Sequence, residues 1–260
     1  MSVKRDLGAQ KSRIIAGSNQ FPTTRMQGQT PHNSFHDLGR DELAPSLVAT
    51  PIVDCDHPAV KQYAESRSAT HLGDRAKAVA LYYAVRDELR YDPYTLDLST
   101  EGLSASRTLA SGRGWCVTKA VLLAACCRSI GIPARLGFAD VKNHLSTANL
   151  RESMGTDIFY WHGYTSIFLD DQWLKATPAF NIELCEKFRI KSLEFDGRAD
   201  SIYHPFDLDG RKHMEYVSFR GEYTDVPVAE IATDFQKHYP NLSLNLGDRN
   251  FDNEVELETN

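Results

Sequence analysis

The order of the hydrophobic patterns along the chain predicts an α+β fold, with helices first and antiparallel strands after them. Two segments with apolar residues at helical spacing, 75–90 and 116–130, lie in the first half of the 260 residues. The later part favours strands, and two of these, 159–169 and 172–177, are separated only by Asp170-Asp171, as in a hairpin. The segments do not alternate as strand, helix, strand, so a parallel sheet is not expected.

The first helix is predicted over 75–90 because Asp74 is a suitable N-cap and because Asp92-Pro93 follows the segment. Its apolar face consists of Val79, Tyr82, Tyr83, Val85 and Leu89. Before it, 46–54 reads as a short strand followed by a loop. After it, 96–114 reads as a loop because it is rich in Ser, Thr and Gly.

The second helix begins at Cys116 and continues through an apolar run to Ile130. Gly131, followed by Pro133, predicts its end through a left-handed glycine cap. Cys116 would therefore lie in the first turn, beside the positive end of the helix dipole and unpaired N–H groups. Both features favour a thiolate, and the same N–H groups can hold a negative oxygen. Cys116 is the first candidate for a nucleophile.

Further strands are expected at 135–141 and 213–223, and a closing helix at 228–239. The organisation predicted from these patterns is a flexible N-terminal segment (1–44), a main folded domain (45–245) and an acidic C-terminal tail (246–260). The tail is expected to fray from Asn250 onward.

Composition excludes several classes of protein. A net charge of −6 argues against a nucleic-acid partner, and no apolar run reaches the roughly 20 residues of a membrane span. The first residues lack the apolar core of a signal peptide, so a cytoplasmic location is expected. The five cysteines are odd in number and lack zinc-site spacing, which favours neither a disulfide framework nor a metal site.

A cysteine nucleophile needs a base, and histidine is suited to that role near neutral pH. Two of the nine histidines could reach the N-terminus of the Cys116 helix. His162 begins the first arm of the predicted hairpin, and His144 follows the strand that leaves the helix. Spacing alone does not choose between them.

A set of residues in fixed order resembles the transglutaminase-like superfamily. The similarity runs from about Leu47 to Asn181 and is strongest between Gly114 and Arg135. The matching residues are Gly114, Cys116, Ala120, Leu122, Leu123, Ala125, Arg128 and Gly131-Ile132-Pro133-Ala134-Arg135, then His162 before a strand and Trp173 ahead of Thr177-Pro178, with an upstream segment at 85–93.

The resemblance implies a papain-like fold, in which the cysteine helix packs on an antiparallel sheet that bears the histidine and an acidic residue. It makes Cys116 the nucleophile and His162 its base. The family's third residue is an Asp, whose place is taken here by Thr177. Thr177 itself, Asn181 or the remote carboxylate of Asp140 could orient the imidazole instead, since Cys-His-Asn is a known variant of the triad.

The function expected from the resemblance is thiol-dependent acyl transfer on a carboxamide or peptide bond through a thioester, with hydrolysis favoured over crosslinking and no cofactor. The substrate would be a peptide or protein carboxamide. Trp115 and Trp161, which flank the two catalytic candidates, would wall the substrate cleft. The alternative is a catalytically silent peptide-binding domain of the same fold, which the missing Asp favours. The oligomeric state does not follow from the sequence.

Overall fold

The computed structural model describes residues 40–144, 146–202, 207–239 and 250–259. Most of the N-terminal segment predicted to be flexible lies outside these residues, and the proposed domain boundaries remain predictions. The helices in the described residues are α1 (Arg40–Leu43), α2 (Pro58–Ser68), α3 (Asp74–Glu88), α4 (Thr100–Leu103), α5 (Ala105–Ser111), α6 (Cys116–Ser129), α7 (Ala148–Met154), α8 (Ile182–Lys187), α9 (Val228–His238) and α10 (Phe251–Thr259).

Six strands form two sheets in this part of the chain. The strands are β1 (Arg90–Tyr91), β2 (Arg113–Gly114), β3 (Ala134–Asn143), β4 (Ile158–Leu169), β5 (Gln172–Ala176) and β6 (Met214–Tyr223). β1 and β2 form a short parallel pair, whereas the larger sheet has the order β5-β4-β3-β6 with every neighbour antiparallel. The predicted α+β fold is confirmed.

The Cys116 helix, α6, is the centre of the core. Every residue from Cys116 to Arg128 is buried, which explains why its apolar residues are not confined to one face. The N–H of Gly131 donates to the carbonyl of Arg128 at 3.0 Å, and that of Ile132 to Cys127 at 2.9 Å. With Gly131 at φ 82°, these two bonds form the Schellman cap that the glycine predicted.

α6 packs against β4 of the larger sheet. The Thr165 hydroxyl donates to the carbonyl of Ala120 at 2.8 Å, so the two elements are joined by a hydrogen bond as well as by apolar contacts. β4 continues into β5 through Asp170 and Asp171, which adopt positive φ angles of 48° and 62°. Two left-handed residues suit a tight two-residue hairpin turn, so the predicted hairpin is also confirmed.

Several predictions about local structure were wrong. Residues 46–54 form no strand, and 96–114 is not simply a loop, because it contains α4 and α5. The side chains of Ser99 and Ser104 accept hydrogen bonds from the first turns of these two helices, so the serines that suggested a loop act as N-caps.

The C-terminal residues also differ from the frayed end that was expected. α10 places two side chains, Phe251 and Val255, in the core. Phe251 packs edge-on against Tyr91, with ring centroids 5.7 Å apart. Aromatic and aliphatic burial therefore holds a segment whose acidic composition resembled a tail. The short helices α7 and α8 were not predicted either.

Candidate active site

Cys116 is the first residue of α6 and lines a small pocket. The backbone of Trp115 is extended, and the short β1–β2 pair leads into it, so the chain enters the helix from a fixed direction. The Cys116 side chain is nearly enclosed, with 6% of the residue exposed.

The close approach of β4 to α6 brings His162 to the same pocket. Gly163 lies against the first turn of the helix, and a Cβ atom built on it would stand 2.8 Å from the Cα of Val117. Only a residue without a side chain allows this distance. The backbone N–H of Gly163 also acts on the Cys116 thiol and opposes the rise of its pKa. Cys116 and His162, the next residue before Gly163, both line the pocket.

The remaining walls of the pocket are aromatic or aliphatic and come from distant parts of the chain. The enclosed space is about 50 Å³, and its lining beyond Cys116 and His162 is Tyr91, Pro93, Leu96, Trp115, Leu150, Met154, Phe159, Tyr160, Phe235 and Tyr239. α7 and α9 supply much of this lining. Sequence reasoning did not identify either helix as part of the site.

The structure separates the two histidines that the sequence left open. His144 hydrogen-bonds Glu215 at 2.7 Å and does not line the Cys116 pocket. His162 is 4% exposed and lies in that pocket. Position therefore favours His162 as the partner of Cys116.

Burial controls the protonation of both groups. It raises the pKa of the Cys116 thiol to about 11, although the N–H groups of Gly163, Val117 and Cys116 oppose the shift. It also lowers the pKa of the His162 imidazole to about 3. The expectation that the helix terminus would favour a thiolate is thus outweighed in this closed arrangement. The pair is a neutral thiol and a neutral imidazole at pH 7.

The three candidates for the third catalytic residue have different surroundings. Thr177 is buried, and its hydroxyl makes no hydrogen bond within the described residues. The side-chain oxygen of Asn181 accepts from the backbone N–H of Tyr91 at 3.1 Å. Asp140 accepts from the Arg220 guanidinium at 2.5 Å. Asn181 and Asp140 therefore already hold other groups in place.

Trp161 does not line the pocket but is held beside it. Its backbone is in the left-handed region, with φ 60°, where the pairing of β3 with β4 shifts register. Asp140 accepts from its backbone N–H at 3.2 Å, and Asp234 on α9 accepts from its indole N–H at 2.8 Å. Arg220 binds both carboxylates and stacks 4.7 Å from the indole ring. This network fixes the residue that precedes His162.

Lys119, one turn after Cys116, is a further buried group that sequence reasoning missed. Its ammonium group donates to three backbone carbonyls, those of Arg86, Leu89 and Ala179, at 2.6–2.9 Å. The residue is fully buried, and burial lowers its pKa to about 7. A charged residue inside an otherwise apolar run was the available signal. Lys119 ties α6 to the end of α3 and to the segment after β5.

Within the described residues, no group of three or more His, Cys, Asp or Glu side chains could hold a metal ion. All five cysteines are free thiols, and all are buried. No helix in this part of the chain is both long enough and apolar enough to cross a membrane.

Together, the fold and the pocket define a class of architecture: a cysteine at the start of a core helix, packed on an antiparallel sheet that carries a histidine. The family model of the transglutaminase-like superfamily matches residues 61–178, a segment that includes Cys116, His162 and Thr177. Residues 61–178 of this chain are therefore similar to the transglutaminase-like superfamily.

The solved structures that are similar to this chain include the following two. One is a "putative cysteine protease" from Cytophaga hutchinsonii, 19% identical with a TM-score of 0.43, over 55% of this chain and 43% of that one. The other is a "putative protease" from Parabacteroides distasonis, 15% identical with a TM-score of 0.34, over 49% of this chain and 26% of that one. The matches thus span less than half of either structure. A comparison with curated proteins gave no significant match.

Proposed function

We propose that this chain is a thiol-dependent acyl-transfer enzyme that acts on carboxamide or peptide bonds. The observation that carries the proposal is the presence of Cys116 and His162 in one enclosed pocket, with Cys116 at the N-terminus of the core helix. A thiol and an imidazole in one site supply a nucleophile and a base.

The neutral state of the pair suits a mechanism in which the proton moves during attack. The Cys116 sulfur attacks the carbonyl carbon of the substrate while His162 accepts the thiol proton. The backbone N–H of Cys116 is the natural donor to the resulting oxyanion. As the C–N bond breaks, the imidazolium of His162 gives its proton to the leaving amine, and a thioester remains on Cys116.

Water or an amine then resolves the thioester. We favour water, because no motif in the sequence marks a site for a second, amine substrate. His162 again accepts a proton, now from the attacking water, and returns it to the departing thiolate. The product is a carboxylic acid, and no cofactor enters either step. A peptide or protein carboxamide is the proposed substrate, with Thr177 and Asn181 as the proposed residues that orient His162.

One observation favours the alternative, a catalytically silent peptide-binding domain. The family carboxylate is replaced by Thr177, whose hydroxyl makes no hydrogen bond in the described part of the chain. Removal of the acidic charge that stabilises the imidazolium lowers turnover in a serine triad by about 10⁴. A thiol depends less on such a partner, because it ionises more readily than a hydroxyl.

The test is acylation by p-nitrophenyl acetate, followed by mass spectrometry of the peptide that contains Cys116. We expect a burst of p-nitrophenol and an acetyl group on Cys116, both absent in Cys116→Ser and retained in Cys185→Ser, which removes another buried thiol. Addition of glycine methyl ester then measures how the thioester partitions between water and an amine. Absence of acetyl-Cys116 would support the silent binding domain.

A further inference from the structure

The pocket around Cys116 contains no charged side chain among its described lining residues. The lining is formed by apolar and aromatic groups, together with the Cys116 thiol and the His162 imidazole. The charged side chains around Trp161, beside the pocket, pair with one another, since Arg220 binds Asp140 and Asp234, each at 2.5 Å. A charged substrate group would enter this pocket without a partner of opposite sign.

One polar group in the pocket wall is left without a partner. Trp115 precedes Cys116 and lines the same pocket. The residue is 6% exposed, and its indole N–H is enclosed and makes no hydrogen bond in the described part of the chain. Buried N–H groups of this kind are rare, because each one loses its hydrogen bond to water without a replacement. An acceptor brought by a ligand would restore that bond.

We propose that the Cys116 pocket binds the uncharged, apolar acyl portion of the substrate, and that the Trp115 indole N–H donates to a carbonyl oxygen of that substrate. The inference rests on the proposed function, because it treats the pocket as the acyl site of Cys116. It assigns Trp115 a role as a substrate-positioning donor, beyond that of a cleft wall.

Two other aromatic side chains near the site, those of Trp161 and Tyr239, already use their polar groups in hydrogen bonds. The indole N–H of Trp161 donates to Asp234 at 2.8 Å. The hydroxyl of Tyr239 accepts from the N–H of Tyr160 at 2.6 Å and donates to the carbonyl of Ile158 at 3.1 Å. These two side chains therefore present their apolar surfaces rather than free donors.

The selectivity is measured with p-nitrophenyl esters that share one leaving group. The butyrate ester carries a neutral apolar chain, the hemisuccinate an anion and the β-alaninate a cation. We expect the butyrate to acylate Cys116 at least about 100-fold faster than either charged ester, after subtraction of the rate without protein, because an unpaired buried charge is strongly disfavoured. Rates within about three-fold of one another would overturn the apolar assignment.

The Trp115 role is measured with Trp115→Phe, which keeps an aromatic ring but removes the donor. We expect butyrate acylation to fall about ten-fold, as for the loss of one hydrogen bond to an oxygen that gains charge. Modification of Cys116 by methyl methanethiosulfonate, which has no carbonyl group, should stay within about two-fold of the parent. Trp173→Phe serves as the matched control, since Trp173 lies on β5 against Arg135.

The outcomes separate the two proposals. If no ester acylates Cys116, the proposed enzymatic function fails. If acylation of Cys116 occurs but Trp115→Phe leaves the butyrate rate unchanged, the donor role fails while the enzyme stands. An equal loss with the ester and with methyl methanethiosulfonate would indicate a purely structural role and would also overturn the donor assignment.

Discussion

The contact between Gly163 and α6 makes Gly163→Ala an informative perturbation of the site. The new Cβ would stand 2.8 Å from the Cα of Val117 and 3.2 Å from its backbone nitrogen, whereas ordinary contacts begin at 3.4 Å. The nearest atom, the Val117 Cα, belongs to the helix backbone, so no change of side-chain rotamer can relieve the overlap. The helix and the strand must therefore separate by about 0.6 Å.

Two effects follow from this separation. Overpacking of a core contact costs about 1–3 kcal/mol in the free energy of unfolding. The same movement displaces Cys116 from His162, and a displacement of about 1 Å at a reacting centre can lower a rate about 100-fold. For the smaller shift here we expect a loss of roughly ten-fold in the rate of Cys116 alkylation by iodoacetamide at pH 7.

Gly131→Ala provides the matched control because Gly131 lies at the opposite end of α6. Its φ of 82° makes alanine unfavourable by about 1–2 kcal/mol, yet no atom lies within 4 Å of the position where a Cβ would be. Urea unfolding should show comparable destabilisation in the two variants, whereas only Gly163→Ala should slow alkylation. Equal alkylation rates in both variants would refute the claim that this contact sets the geometry of the pair.

Three other substitutions test separate parts of the account. Lys119→Met should lower the free energy of unfolding by about 3 kcal/mol in urea, because three buried carbonyls lose their donor. The folded parent releases the Lys119 proton near pH 7 and the unfolded chain near 10.5, so parental stability should rise between these pH values, and the variant should lack that rise. Arg220→Ala should lower the free energy of unfolding by about 2 kcal/mol and alter the fluorescence of Trp161, because it removes the charge that joins the Asp140 and Asp234 carboxylates. Unchanged stability and emission would contradict that role. Thr177→Asp restores the family carboxylate and should raise the pKa of His162 in a histidine NMR titration, whereas an unmoved titration would place residue 177 out of reach of the imidazole.

The parts of the fold that sequence predicted are those fixed by local patterns. The Cys116 helix follows from a continuous apolar run with a glycine cap, and the hairpin from strand-like segments around Asp170-Asp171. α5 was missed although Ser104 is a good N-cap, because the surrounding Ser and Gly content suggested a loop. α10 was missed because its burial depends on contacts with residues far away in sequence, such as Tyr91.

In the site, too, some features follow from local sequence patterns and others from contacts between distant segments. Cys116 is placed by its helix, and the resemblance identified His162, but the protonation of both depends on the enclosing walls. Those walls include Phe235 and Met154, which come from α9 and α7, respectively. Nothing local to either helix indicates that it covers a cysteine. The expectation of a thiolate failed for this reason, since burial by distant segments outweighs the local effect of the helix terminus.

The most direct test of the central claim, that Cys116 and His162 act as a pair, is the pH dependence of Cys116 alkylation in the parent, in His162→Ala and in the control His144→Ala. The account predicts that the parent and His144→Ala react about ten-fold or more faster than His162→Ala between pH 6 and 8, because the neutral imidazole accepts the thiol proton. The advantage should shrink as the pH rises towards the pKa of the thiol itself, since thiolate formed by hydroxide needs no base. Superimposable profiles for the parent and His162→Ala would contradict the pairing and favour the silent binding domain.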